Sequence, residues 1–233
     1  MNLKISRAVK QPFTGANWPM KLAIGALITL VASYAGALGM LGGFIKVALT
    51  ALTAGYALRI MSNEAGSNGN LQPILPEWNE FGPLFTNGIT STMINAAYAL
   101  VFALVVGLVG SFTGAAAAVQ SVFSAPSLAA LATTGGVFLI GTFVVGLFYA
   151  LTLVMLNVHY AVEGRIRAFI EFGPALRRAF SRKGNLAVAA ITSLLIIAVS
   201  TVIGFIPVVG AAVGSFVASV ALANLWAQVY RQG

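Results

Sequence analysis

The chain has 233 residues, of which 59% are hydrophobic and only 8% charged, and its mean hydropathy is +0.93. A soluble domain carries about 25% charged residues, so this chain cannot cover a water-facing surface and needs lipid as its solvent. The absence of cysteine excludes disulfides, thiolate metal sites and cysteine nucleophiles. The net charge of +8 reads as a topology signal around apolar runs, with no nucleic-acid partner expected.

Residues 3–20 are basic and precede the first apolar run, so they are expected to lie along the membrane surface as an uncleaved segment. Trp18 would then sit at headgroup depth. Six stretches approach the length of about 20 apolar residues needed to cross the hydrocarbon core. They fall at roughly 22–40, 43–60, 88–112, 135–158, 186–206 and 208–229. The first two form one apolar tract interrupted by Gly39, Gly42 and Gly43, which predicts a tight hairpin. Pro207 predicts the turn between the last two. The uncharged segment 113–134 is too apolar for an ordinary loop and is expected to be interfacial or re-entrant, broken at Pro126. The fold class is therefore all-α, a polytopic transmembrane bundle of about six spans in a single domain. It contains hairpin units at about 43–112 and 135–206, and short amphipathic helices on the cytoplasmic side.

With six crossings, twelve of the thirteen bases fall on one side, which makes both termini cytoplasmic; Lys46 is the exception. That same side carries a repeat. Glu-Phe-Gly-Pro occurs at 80–83 and again at 171–174. Gly-Pro is a local breaker whose proline suits the first helical position. After Pro174, Leu176 and Phe180 would share one face of a short surface helix. Arg177, Arg178, Arg182 and Lys183 would take the wetter side, in reach of lipid headgroups or a partner, and the helix would end near Gly184 and Asn185. After Pro83 a truncated version would end near Asn87 and Gly88. The match suggests two copies of one unit.

The first copy adds Pro76, Glu77 and Trp78. A helical turn from Pro76 would put Glu77 and Glu80 on one face, with Trp78 and Phe81 on another. Two readings stand: a cation, proton or docking site, or ion pairs to Arg165, Arg167 or Arg177 with the aromatics anchored at the interface. Glu163 and Arg167, four apart, read as a helix-surface pair.

"PFTGANWPMKLAIGALI" at 12–28, "GYALRI" at 55–60 and "LPEWNEFGPLF" at 75–85 resemble an uncharacterised family of prokaryotic multi-pass membrane proteins marked by a Pro-Glu-Trp loop. "GPALRRAFSRKGN" at 173–185 is similar to the related membrane domain of glycerophosphodiester phosphodiesterases. Where that family commonly has Asp-Asp after Pro-Glu-Trp, this chain has Asn79-Glu80, which weakens a metal-site reading. The resemblance implies a multi-pass fold in the prokaryotic inner membrane and brings no activity with it.

Polar groups near membrane depth are few. His159 could relay protons or bind a ligand, but a lone histidine without acids in its own span reads as a capping or interfacial residue. Asn95, Asn157 and Asn224, the last with Gln228, are expected to bond between helices. No acid or arginine is placed deep in a span, which counts against a coupled transporter. No phosphate loop, zinc helix or serine elbow occurs, so neither enzyme nor cofactor is expected. Gly39 with Gly43, Gly110 with Gly114, and Gly210 with Gly214 have the spacing that lets helices approach closely, within the bundle or against another subunit. The expected role is a noncatalytic accessory or scaffold subunit contacting lipid and other membrane subunits, or itself. The rivals are a channel or facilitated transporter for a small solute, and an anionic-lipid-binding, membrane-remodelling protein.

Overall fold

The structure is a computed structural model that describes residues 3–67, 74–112, 134–207 and 209–233. In chain order, α1 (Ile5–Lys10) and a 3-10 turn (Gln11–Phe13) lead into α2 (Trp18–Ala35). A second 3-10 turn (Gly36–Leu38) joins α2 to α3 (Gly39–Gly66). Then come α4 (Phe81–Phe112), α5 (Thr134–Glu163), a 3-10 helix (Ile166–Ile170), α6 (Phe172–Phe180), α7 (Lys183–Gly204) and α8 (Gly210–Gln232). Among the described residues there is no strand. Among the described residues, five helical segments are long and apolar enough to cross a membrane, the first running from Trp18 to Gly66. Leu27, Met40, Ile140, Phe143, Leu194 and Phe205 are each at least 60% exposed. Lipid, whose chains are as apolar as these residues, accepts such a surface; water does not. The chain is a membrane protein.

The first segment is not one straight rod. Tyr56 stacks on Trp78 at 4.1 Å, and the Trp78 indole donates to the Lys21 carbonyl at 3.0 Å. A straight helix would hold Lys21 and Tyr56 about 50 Å apart. The chain instead doubles back at Gly39, whose φ of +67° suits a residue without a β-carbon. Lys46 passes beside Gly36 at this end. Within the bundle, close approach at this turn falls on a different glycine from the pair expected. Gly39 and Gly43 have open space where a β-carbon would sit, and it is Gly42 that lies against the Ala35 carbonyl.

Residues 1–92 and 154–233 form one compact unit, and 93–153 a second. In the first, α8 is the central helix, with fifteen of its 23 residues buried, while α7 buries only Ala189 and Thr192. Small residues along α8 let its neighbours close in: Gly210 and Gly214 lie against the backbone of α7 near Ile203 and Ser200. Leu22, Tyr56, Trp78, Phe216 and Val220 share one apolar cluster. Pro207 lies in the turn between α7 and α8. In the second unit, Phe102 stacks on Tyr149 at 4.4 Å, and Leu104, Leu108, Phe143 and Val144 face outward. Asn95 belongs to this unit and is half-buried, and Gly110 is buried. Gly114 and the segment 113–133, with its expected break at Pro126, lie outside the described residues.

Candidate functional site

Lys46 at the hairpin turn stands apart from the other charged residues of the first unit, of which the most buried is Glu64. It occupies the last turn of α3, where a loop acid was expected, with a side chain only 3% exposed. Arg231 of α8 donates to one carboxylate oxygen at 2.6 Å and to the Glu64 carbonyl at 3.0 Å. Arg7 of α1 donates to the other oxygen at 2.9 Å, as does the Asn224 amide at 3.1 Å. Gln228 in turn donates to Asn224 at 2.6 Å and accepts the Lys4 backbone N–H at 2.9 Å. The N-terminal segment is thus tied to α3 and α8 through hydrogen bonds. Glu64 sits at the end of α3 and not deep in the span, so it is protein rather than hydrocarbon that buries it. Its partners lie 57 and 167 positions away, beyond the reach of any local pattern.

The Pro76–Glu77–Trp78 loop is irregular, with a bend at Trp78, rather than a helical turn, and Trp78 is a core residue instead of an interfacial anchor. Tyr56 donates to the Pro76 carbonyl at 2.9 Å. Lys21, buried, donates to the Leu75 carbonyl at 2.9 Å and pairs with Glu77 at 2.6 Å. Glu80 pairs with Arg59 at 2.8 Å. Neither acid therefore turns to Arg165, Arg167 or Arg177, because the loop is clamped over α2 and α3 and both find bases there. Trp18 opens α2 and meets Phe13 edge-on at 5.5 Å.

Both copies of the tetrapeptide start a helix, two residues earlier than the breaker rule predicts. Phe81 and Phe172 are the first helical residues. Glu80 and Glu171 therefore flank the helix starts, Gly82 and Gly173 come second, and Pro83 and Pro174 come third. Proline is tolerated there because the first-turn amides have no partner within the helix. Each acid reaches back to a base on the preceding long helix: Glu80 to Arg59, and Glu171 to His159 at 3.0 Å. Downstream the copies diverge. No truncated helix follows Pro83; α4 runs on to Phe112, and Gly88 packs against the Ala51 carbonyl.

His159 is buried, which displaces the capping or interfacial reading. Its Nδ1 lies 2.6 Å from the Tyr230 hydroxyl and its Nε2 faces Glu171. The hydrogen bond with His159 is foremost in holding the Glu171 carboxyl below its ordinary range, and the charges of Arg165 and Arg167 add to it. Arg167 pairs with Glu171 at 3.4 Å and Glu163 with Arg165 at 2.7 Å, so the expected Glu163–Arg167 pair does not form. Asn157 accepts the Ser91 hydroxyl at 2.5 Å.

On α6 the buried residues are Ala175 and Ala179 rather than Leu176 and Phe180. Arg178 lies over the Tyr230 ring at 4.5 Å, while Arg177, Arg182 and Lys183 are exposed. The helix stops at Phe180, four residues earlier than expected. Gly184 and Asn185 open α7, where Asn185 donates to Gln232 at 2.6 Å. Between α3, the start of α4 and the end of α5 lies a pocket of about 280 Å³ with Arg59 and Glu80 on its wall.

A family model described as a protein of unknown function, DUF4013, matches residues 38–209. The chain belongs to the DUF4013 family. The DUF4013 match takes in both tetrapeptides, Glu64 and the Pro-Glu-Trp loop. It stops short of Arg7, α8 and Arg231. No curated protein and no solved structure matches the chain.

Proposed function

We propose that this DUF4013 protein is a noncatalytic integral membrane accessory subunit. The chain would cross the inner membrane of a prokaryotic cell six times, counting α2 and α3 separately, with both termini cytoplasmic. The observation that carries the reading is an open groove of about 610 Å³ between α7 and α8. Ser200, Gly204, Ala211 and Ser215 line it, and residues this small let a further helix approach closely within lipid. Asn157 and Asn224 support the same choice over a pore, because they serve separate neighbours, Ser91 and Glu64. The kinship of the 173–185 loop with the membrane domain of glycerophosphodiester phosphodiesterases belongs to this proposal too. It adds a fold likeness without an activity.

The lack of cysteine makes the test direct. Ala211→Cys and Ser215→Cys place single thiols in the groove, and Ile191→Cys and Leu194→Cys place them on exposed α7 positions outside it. Crosslinking in native membranes is expected to give one adduct of defined mass from the groove pair only, a second copy of the chain or a single companion. Equal adducts from all four positions, or none, would overturn the accessory role.

A second reading, contact with anionic lipid, draws on the segment 165–183. Its exposed Ile166, Ile170, Phe172 and Phe180 lie among Arg165, Arg167 and Arg177, and bases near the membrane surface attract anionic headgroups.

A further inference from the structure

α3 and α4 meet backbone to backbone at Gly55 and Gly88, where a β-carbon would strike the carbonyl of Leu84 or Ala51. Beyond this crossing, toward the charged end, the gap between them stays open as the pocket of about 280 Å³. Buried Leu58, Leu84 and Tyr160 form its base. Its wall is polar and holds one cation and one anion side by side: Arg59 and Glu80, 2.8 Å apart, with side chains 32% and 52% exposed.

That pair is held without being saturated. A guanidinium has five donors and a carboxylate about four acceptor sites, so one mutual bond leaves both able to take more. Asn87 receives the Tyr160 hydroxyl through its oxygen at 3.3 Å, which leaves its amide donors for a guest, and Asn63 adds a second carboxamide to the same wall. A guest with a single charge would be attracted by one member of the pair and repelled by the other at nearly the same distance. A guest with both charges, laid antiparallel to the pair, gains from both.

We propose that this pocket binds a compact zwitterion. Its primary ammonium is held by Glu80, and its carboxylate or phosphate by Arg59 and the carboxamides. The volume suits an amino acid or an ethanolamine-phosphate headgroup and is too small for a nucleotide. The proposal is independent of the accessory role, because the pocket lies on α3, α4 and α5 and the groove on α7 and α8.

The test uses the full chain in nanodiscs of phosphatidylcholine. These are compared with discs containing a minority of phosphatidylethanolamine, with discs containing a minority of phosphatidylglycerol, and with glycine added to the phosphatidylcholine discs. Native mass spectrometry reads retained lipid, and tryptophan fluorescence reads thermal unfolding. Selective retention of the ethanolamine lipid identifies a headgroup as the source of the zwitterion; stabilisation by glycine identifies a free solute. In either case Arg59→Gln and Glu80→Gln each weaken binding by about tenfold or more, the worth of one charge-assisted hydrogen bond. Asn87→Leu removes the carboxamide donors and narrows the pocket while keeping both charges, so it reports even where the charge variants unfold, and it too is expected to weaken binding. Lys46→Gln, which removes a cation at the hairpin end, leaves binding unchanged. Phosphatidylglycerol held as well as phosphatidylethanolamine, indifference to Glu80→Gln, or no bound probe at all would each overturn the proposal.

Discussion

Replacing Glu64 with glutamine removes the only carboxylate between two guanidiniums and leaves the shape of the site nearly unchanged. Arg7 and Arg231 are 10% and 13% exposed, so neither can recover its hydration without moving a helix. Breaking a buried ion pair from one side costs about 3–5 kcal/mol, a large share of the roughly 5–15 kcal/mol that separates folded from unfolded domains. At about 2–4 °C per kcal/mol for a chain of this size, Glu64→Gln should lower the unfolding midpoint by about 10 °C. Tryptophan fluorescence on heating, or titration with dodecyl sulfate in mixed micelles, reads it directly. The sign of a second change is more discriminating. Arg7→Gln should destabilise the wild type but stabilise the Glu64→Gln protein, because there it removes a buried charge that has lost its Glu64 carboxylate. A Glu64→Gln variant within about 0.5 kcal/mol of wild type, the range of ordinary surface changes, would refute this account. So would an Arg7→Gln cost that is the same in both backgrounds.

Gly88→Ala should cost about 1–3 kcal/mol, because the new methyl meets the Ala51 carbonyl and the α3–α4 crossing must open. Gly43→Ala, with open space at the same atom, should be neutral or stabilising by up to about 1 kcal/mol through helix propensity; the same unfolding assays compare the two. Single cysteines at Ser6, Asn79 and Gly173 should react with an impermeant maleimide from one side of the membrane, and Leu41→Cys from the other. Labelling of Ser6→Cys from the side opposite to Asn79→Cys would mean that the 18–66 tract crosses once, and would remove the six-span topology.

Much of this architecture can be read from the chain, because lipid leaves a coarse signature. The expected spans 88–112, 135–158, 186–206 and 208–229 fall within α4, α5, α7 and α8 to a few residues. α4 starts seven residues before its apolar run and α5 continues five beyond its own, since a helix does not stop where hydrocarbon does. The doubling back at Gly39 was legible because three glycines interrupt an otherwise continuous tract. The polar end was not. Glu64 sits in a stretch, Ser62-Asn63-Glu64, that reads as solvated loop, and only the arrival of Arg7 and Arg231 makes it a buried hub. Trp78 looks like an interfacial anchor until Tyr56 and the Lys21 carbonyl claim both its face and its N–H. The repeated Glu-Phe-Gly-Pro marked two helix starts, yet its glutamates reach back to Arg59 and His159, bases that no spacing rule connects to them. Close helix approach was sought at glycines four apart; Gly210 and Gly214 make it against α7, whereas Gly55 and Gly88 make it singly, on different helices.

Ribosomes deliver α2, α3 and α7 to the bilayer before α8, the helix on which they converge. Until it arrives, the small-residue seams meant for it face acyl chains, and Glu64 waits without Arg231. The first unit is therefore closed only when α8 arrives, and a chaperone or insertase that shields unfinished spans would have to hold them until then.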